Sequence, residues 1–183
     1  MFVQVADSSE RKKLTVRSLE GLAASIGQEF TTPAFQMEAE RVQYFERATY
    51  LDVKHAAYGE PEGLGYGEGL LEGFHLLGMI DFLLTSIIEV DDGLNVTPWN
   101  YGLDHVRFVS VLRLSDVFRL RVMLSGVQIR PSGTLVSFET SAEVDNRERP
   151  GFTATFHSLW TDNSRQGERT APQQGARGES TNE

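Results

Sequence analysis

The chain has 183 residues, no cysteine and a formal net charge of −9, a length that suits one well-filled core and is short for two. Hydrophobic residues make up 40% of it and charged residues 23%, the balance of a globular protein with a packed interior. Without cysteine there is no disulfide, thiolate metal site or cysteine nucleophile, which fits a reducing cytoplasm, and arginines scattered through an acidic chain argue against nucleic-acid binding.

Met1 to Lys13 carries charges where a signal peptide needs an unbroken apolar stretch, so neither secretion nor membrane insertion is indicated. Ser18 to Glu29 places Leu19, Leu22, Ala23 and Ile26 at helical spacing, with Ser18 as N-cap and Gly27 near the end, and predicts a short surface helix. A turn is expected at Thr31 to Pro33, then a second amphipathic helix over Met37 to Thr49 with Val42, Phe45 and Ala48 on its apolar side.

Tyr58 to Gly69 contains Pro61 and the glycines 59, 63, 65, 67 and 69, the composition of a flexible loop. The run from Leu70 to Val90 is apolar on almost every side and is broken by Glu72, His75, Asp81 and Glu89, which predicts a core helix enclosed by other elements instead of a membrane span.

From there the period changes to two. A strand is expected over Val106 to Leu114, and Phe118, Leu120, Val122 and Leu124 then alternate with polar residues. Past Gly126 the apolar set becomes Val127 and Ile129, a slip of one residue that a bulge at Gly126 explains. Pro131 to Gly133 and Asn146 to Gly151 read as turns around strands over Thr134 to Val144 and Phe152 to Trp160. Helices followed by consecutive antiparallel strands define an α+β chain. One domain is expected over residues 1–162, and the polar tail 163–183 is expected to be disordered.

Of the four histidines, His55 stands in polar company after the second helix, His75 lies in the apolar helix as a packing residue, and His105 and His157 fall in or beside strands and face outward. No two histidines have the spacing of a helical zinc site, so no metal is expected. The glycine run 63–69 lacks the strand-turn-helix context of a dinucleotide loop.

Two segments carry a family resemblance. Leu71-Glu72-Gly73-Phe74, leading into the long helix, and Asn100 to Phe108, leading into the next strand, resemble the matching parts of MaoC-like dehydratases, particularly the nodulation-protein-N-like branch, and the likeness spans Ser18 to Trp160. It implies a hotdog fold, in which an antiparallel sheet wraps one long central helix. It also implies reversible syn addition of water to a trans-2-enoyl thioester carried on coenzyme A or an acyl carrier protein, without a cofactor. In that family the catalytic histidine ends an Asp-x-x-x-x-His signature and a His-Gly pair opens the helix. By position His55 is then the base, and the Gly73 N–H is the oxyanion donor at the positive end of the helix.

Three departures stand out. Tyr50 occupies the place of the family's aspartate, Glu72 replaces the histidine of the His-Gly pair, and the family's Asp-Pro is missing from Ala56 to Gly69. Asp52, Glu72 and Tyr50 are the candidates for the absent acid. Asn100, Tyr101 and Arg107 are candidate substrate contacts, and a loop anchor or a structural charge explains them equally well. Domains of this kind pair, so a homodimer or a heteromer with another hotdog chain is implied. The same departures leave two further readings open: a cyclase, isomerase or dehydratase acting on a polyketide-like intermediate, and a non-catalytic partner subunit.

Overall fold

The computed structural model describes residues 11–53 and 69–166. The proposed Tyr58–Gly69 loop, apart from Gly69, and the tail beyond residue 166 lie outside the described residues.

Three long strands form the centre of the sheet: β6 (Val117–Arg130), β7 (Gly133–Val144) and β8 (Phe152–Asp162). Over Val117 to Leu124 and through β7 and β8 the even-numbered residues face one way, and Phe118, Leu120, Val122, Phe138, Ala142, Phe152 and Trp160 are all buried, as a period of two requires of strands with one covered face. The short strands β2 (Glu29–Thr31) and β3 (Phe35–Gln36) both pair with β6, β5 (Val96–Phe108) pairs with β8, and every pairing in this sheet is antiparallel, in the order β2-β6-β7-β8-β5. Apart from it, β1 (Leu14–Val16) runs parallel to β4 (Ile88–Val90).

The register of β6 against β7 shifts between Leu124 and Gly126, the bulge that the change of apolar phase calls for. Beyond it Val127 packs against the core, but Ile129 is 67% exposed. At that level β6 has β7 on one side, while β2 and β3 pair with it only over its first half, so Ile129 is left uncovered.

Several sequence-based expectations need correction. The expected helix over Ser18 to Glu29 is a 3-10 helix of six residues, Glu20–Ser25, entered through a bond from the Gly21 N–H to Ser18 Oγ. The expected turn region is drawn into the sheet, because Thr32 Oγ1 accepts the Leu120 N–H at 2.9 Å and the Thr32 N–H donates to the Leu120 carbonyl at 2.9 Å. Between β3 and the central helix lies α1 (Ala39–Ala48). Its buried residues are Val42 and Glu46, while Ala48 is exposed.

The central helix α2 spans Gly73–Leu84 and is shorter than the apolar run containing it. At its C-terminal end Thr85 and Ser86 turn their hydroxyls back onto the carbonyls of Phe82 and Leu83, and the chain leaves as β4. Nor is α2 enclosed all round. Leu76, Leu77, Ile80, Leu83 and Leu84 are buried, whereas Phe74 is 77% exposed and Phe82 is exposed too. The strand expected over Val106 to Leu114 begins ten residues earlier and ends at Phe108. No helix among the described residues is long and apolar enough to cross a membrane.

Gly151 shows how closely the edge of this core is built. Its N–H bonds the Ala142 carbonyl and its carbonyl accepts the N–H groups of Val109 and Ser110, while a β-carbon there would collide with the side chain of the buried Leu112. Neither backbone nor side chain can yield, so Gly151→Ala is expected to cost about 1–3 kcal/mol. Chemical denaturation of the purified variant measures this, and an unchanged midpoint would contradict the packing described.

Candidate active site

The head of α2 is the chemically distinctive place. Glu72 holds extended backbone angles and Gly73 opens the helix. The first N–H groups of a helix have no carbonyl four residues back to bond, and they point along the positive end of its dipole. The chain arrives there through an isolated bridge between Leu70 and Arg113, reinforced by the Leu71 N–H on the Leu112 carbonyl at 2.9 Å. The helix head is thereby tied to the segment that follows β5.

Here Gly73 meets Phe108. A β-carbon at position 73 would lie 2.5 Å from Phe108 Cζ, so only glycine allows the ring to lie against the helix head. Around this contact is a cleft of about 420 Å³ lined by Leu70, Leu71, Phe74, Phe108 and Val111 with Gly73. Phe108 is 53% exposed. The cleft is thus an apolar slot with backbone N–H groups at one end, the general form of a site for an apolar ligand carrying one polar group.

On the other flank α1 meets α2. The Phe45 ring lies flat on the His75 imidazole, with centroids 4.4 Å apart and planes 7° apart. His75 Nδ1 is buried without a hydrogen-bond partner, and burial lowers the pKa of the ring below its usual 6.5. Close by on α1 sits Glu46, 2% exposed and followed by Thr49, whose hydroxyl bonds the carbonyls of Phe45 and Glu46. Sequence reading missed Glu46. The available signal was its position four residues after Val42, which puts a carboxylate on the apolar stripe of the helix.

The candidates read from sequence are distributed unevenly. His55 lies outside the described residues. Tyr50, at the end of α1, has a positive φ of 60° and is 76% exposed. Asp52 is exposed and its Oδ1 accepts the Val53 N–H at 2.8 Å. Glu72 and Gly73 stand at the helix head, Glu72 with Oε1 buried.

Asn100, Tyr101 and Arg107 all lie on β5 and are exposed. Arg107 donates to the Val106 carbonyl, and Tyr101 is held at the outer surface by Arg130, which donates to its hydroxyl at 3.1 Å and lies over its ring. Asn100 pairs with Ser158 whereas Phe108 pairs with Phe152. At about 3.3 Å per residue Asn100 is therefore roughly 25 Å along the strand from the helix head of its own chain. His157 bridges Ser137 Oγ at 2.8 Å and Asp104 Oδ2 at 3.1 Å, a tie across neighbouring strands. His105 is exposed at a positive φ of 53°.

An antiparallel sheet packed over one apolar helix, with a glycine helix head beside an apolar cleft, defines a hotdog fold. Among solved structures the chain resembles the monoamine oxidase regulatory protein from Archaeoglobus (TM-score 0.57, 16% identity, covering 81% of this chain and 96% of that one). It also resembles the MaoC-like dehydratase from Rhodospirillum rubrum (0.51, 15%, 75% and 92%) and the HadBC (3R)-hydroxyacyl-ACP dehydratase complex from Mycobacterium tuberculosis (0.53, 16%, 75% and 97%).

In sequence it is 31% identical over 151 residues to nodulation protein N of Rhizobium leguminosarum bv. viciae, covering 78% of this chain and 90% of that protein. It is 27% identical over 151 residues to the Rhizobium meliloti protein of the same name, with the same coverage. The chain belongs to the nodulation protein N family. No family model matches it.

The buried imidazole has a measurable consequence. Because the folded pKa of His75 is lowered from 6.5, the unfolded chain binds the proton more readily, so this contribution to stability is complete above about pH 6.5 and is lost as pH falls toward the lower folded value. Thermal unfolding midpoints between about pH 5 and about pH 8 are expected to fall on the acid side more steeply for the wild type than for His75→Gln. Parallel curves would show that His75 carries no such linkage.

Proposed function

We propose that this chain catalyses reversible addition of water to trans-2-enoyl thioesters on coenzyme A or an acyl carrier protein. The observation carrying this reading is the Gly73 helix head, whose N–H groups open on an apolar cleft of about 420 Å³ beside Phe108. An acyl group fits the apolar walls, and the negative charge that develops on its thioester oxygen would be stabilised by a backbone donor at the positive end of α2. Membership in the nodulation protein N family and the likeness to dehydratase folds support the same chemistry. His55 is assigned as the base because the family resemblance places its catalytic histidine at that position. Neutral imidazole at that point removes a proton from water as the water attacks.

The working unit is proposed to be a homodimer. Among the described residues β5 is a sheet edge, paired with β8 on one side alone, and it exposes Trp99, Tyr101 and Leu103. A long exposed edge of this kind invites another strand. Antiparallel pairing of two copies about Asp104 would set Asn100 and Tyr101 of one chain opposite Phe108 and Arg107 of the other, which would bring the proposed substrate contacts of β5 to the cleft of the partner.

Purified chain is expected to discharge the enoyl absorbance of crotonyl-coenzyme A or longer enoyl thioesters, with His55→Ala lowering the rate by about 100-fold or more. Absence of turnover on enoyl thioesters of either carrier rejects the reading. Light scattering is expected to give twice the chain mass for the wild type and a shift toward the single chain for Leu103→Lys, since a charge on the edge opposes pairing. A monomeric wild type rejects the dimer.

A further inference from the structure

The inner face of the sheet continues past the end of α2. The helix stops at Leu84, and Thr85 and Ser86 bend the chain away into β4, while β7 and β8 go on presenting large side chains from the same face. Phe138 lies opposite Phe156 in register, and Trp160, further along β8, lies opposite Pro98 of β5. Between the helix end, β4 and the sheet there is a cavity of about 160 Å³, walled by the buried Leu84, Phe138, Phe156 and Trp160. The exposed residues of its lining, Asp81 and Val90 among them, mark its mouth. It shares no residue with the cleft at Gly73. Leu84 is at the opposite end of α2 from that glycine, roughly 16 Å away at a rise of about 1.5 Å per residue.

One wall carries an unmatched donor. Trp160 is 2% exposed, and its indole Nε1–H is buried without a hydrogen-bond partner. The other indole of the chain is satisfied, since Trp99 Nε1–H donates to Thr161 Oγ1 at 3.1 Å. The Ser158 hydroxyl, also in the cavity lining, donates to the Trp99 carbonyl at 3.3 Å. A buried donor left unpaired is costly, so a fold that keeps one calls for an acceptor to complete it. A water molecule needs roughly two to four polar partners, more than one N–H among apolar walls supplies. A neutral organic molecule with a single acceptor needs only that one. The carboxylate of Asp81 at the mouth and the net charge of −9 disfavour an anion.

We propose that this cavity binds a small uncharged carbonyl compound, with its hydrocarbon body against Leu84, Phe138 and Phe156 and its oxygen accepting the Trp160 Nε1–H. A space of about 150 Å³ accommodates a benzene-sized body, so the class is that of a monocyclic or short-chain ketone. The site is independent of the hydratase reading and holds whether or not the Gly73 cleft turns over thioesters.

Cyclohexanone is the probe, titrated to about 20 mM, because about seven non-hydrogen atoms give roughly millimolar affinity. The chain has two tryptophans, so a proton–nitrogen NMR spectrum of the isotope-labelled full chain holds one indole signal for each, and Trp99→Phe, at an exposed position, tells them apart. The ketone is expected to move the Trp160 indole proton downfield in a saturable manner, to leave that of Trp99 in place, and to raise the thermal unfolding midpoint of the wild type. Trp160→Phe is expected to weaken ketone binding, read from that thermal shift, by about fivefold or more. Val90→Trp, which fills the mouth from an exposed position, is expected to reduce the shift as well. A Trp160 signal unmoved to the end of the titration, or a thermal shift kept in full by Trp160→Phe or by Val90→Trp, overturns the assignment.

Discussion

The burial of Leu76, Ile80, Leu83 and Leu84 in the same cluster as the inner residues of β6, β7 and β8 determines where α2 lies and so where Gly73 points. Apolar contact has no direction of its own. It acquires one here because the strands present large side chains such as Phe118, Phe138 and Phe152 on one face alone, while the helix answers with one stripe. Once the stripe is seated, the helix head must emerge beside the end of β5, and the bonds of Leu71 to Leu112 and of Leu114 to Gly69 hold it there.

The contact between Gly73 and Phe108 follows from that placement and makes the site narrow. The family pattern calls for a glycine because a reacting oxygen must approach the backbone. In this chain the Phe108 ring occupies part of the same approach and narrows the cleft at Gly73. The shape of the cleft and the backbone polarity at its end are thus set within one small region.

The polar groups near the helix head are few and buried, which raises what each one can do. His75 is held neutral by its surroundings, and Glu46 is held away from water by the stripe it shares with Val42. In a wet, open site the same groups would be exchangeable for others.

The sequence by itself determined the class of fold, because the two-residue alternation from Phe118 to Leu124 and from Phe152 to Trp160 is imposed by strand geometry and survives any arrangement of neighbours. It also disclosed the bulge at Gly126, a local departure from a local period, while the glycine at the helix head was legible only through the family resemblance. It did not disclose that Leu70 to Val90 would divide into a twelve-residue helix and a strand, since a continuous apolar run carries no period to separate the two. The short strands β2 and β3 escaped notice because their pairing partner lies on β6, some ninety residues further along the chain. Only the tertiary structure brought Phe108 onto Gly73 and Phe45 onto His75 and left Tyr50 in solvent. Those relations join residues far apart in the chain, and no spacing along it encodes which of them will share a cavity.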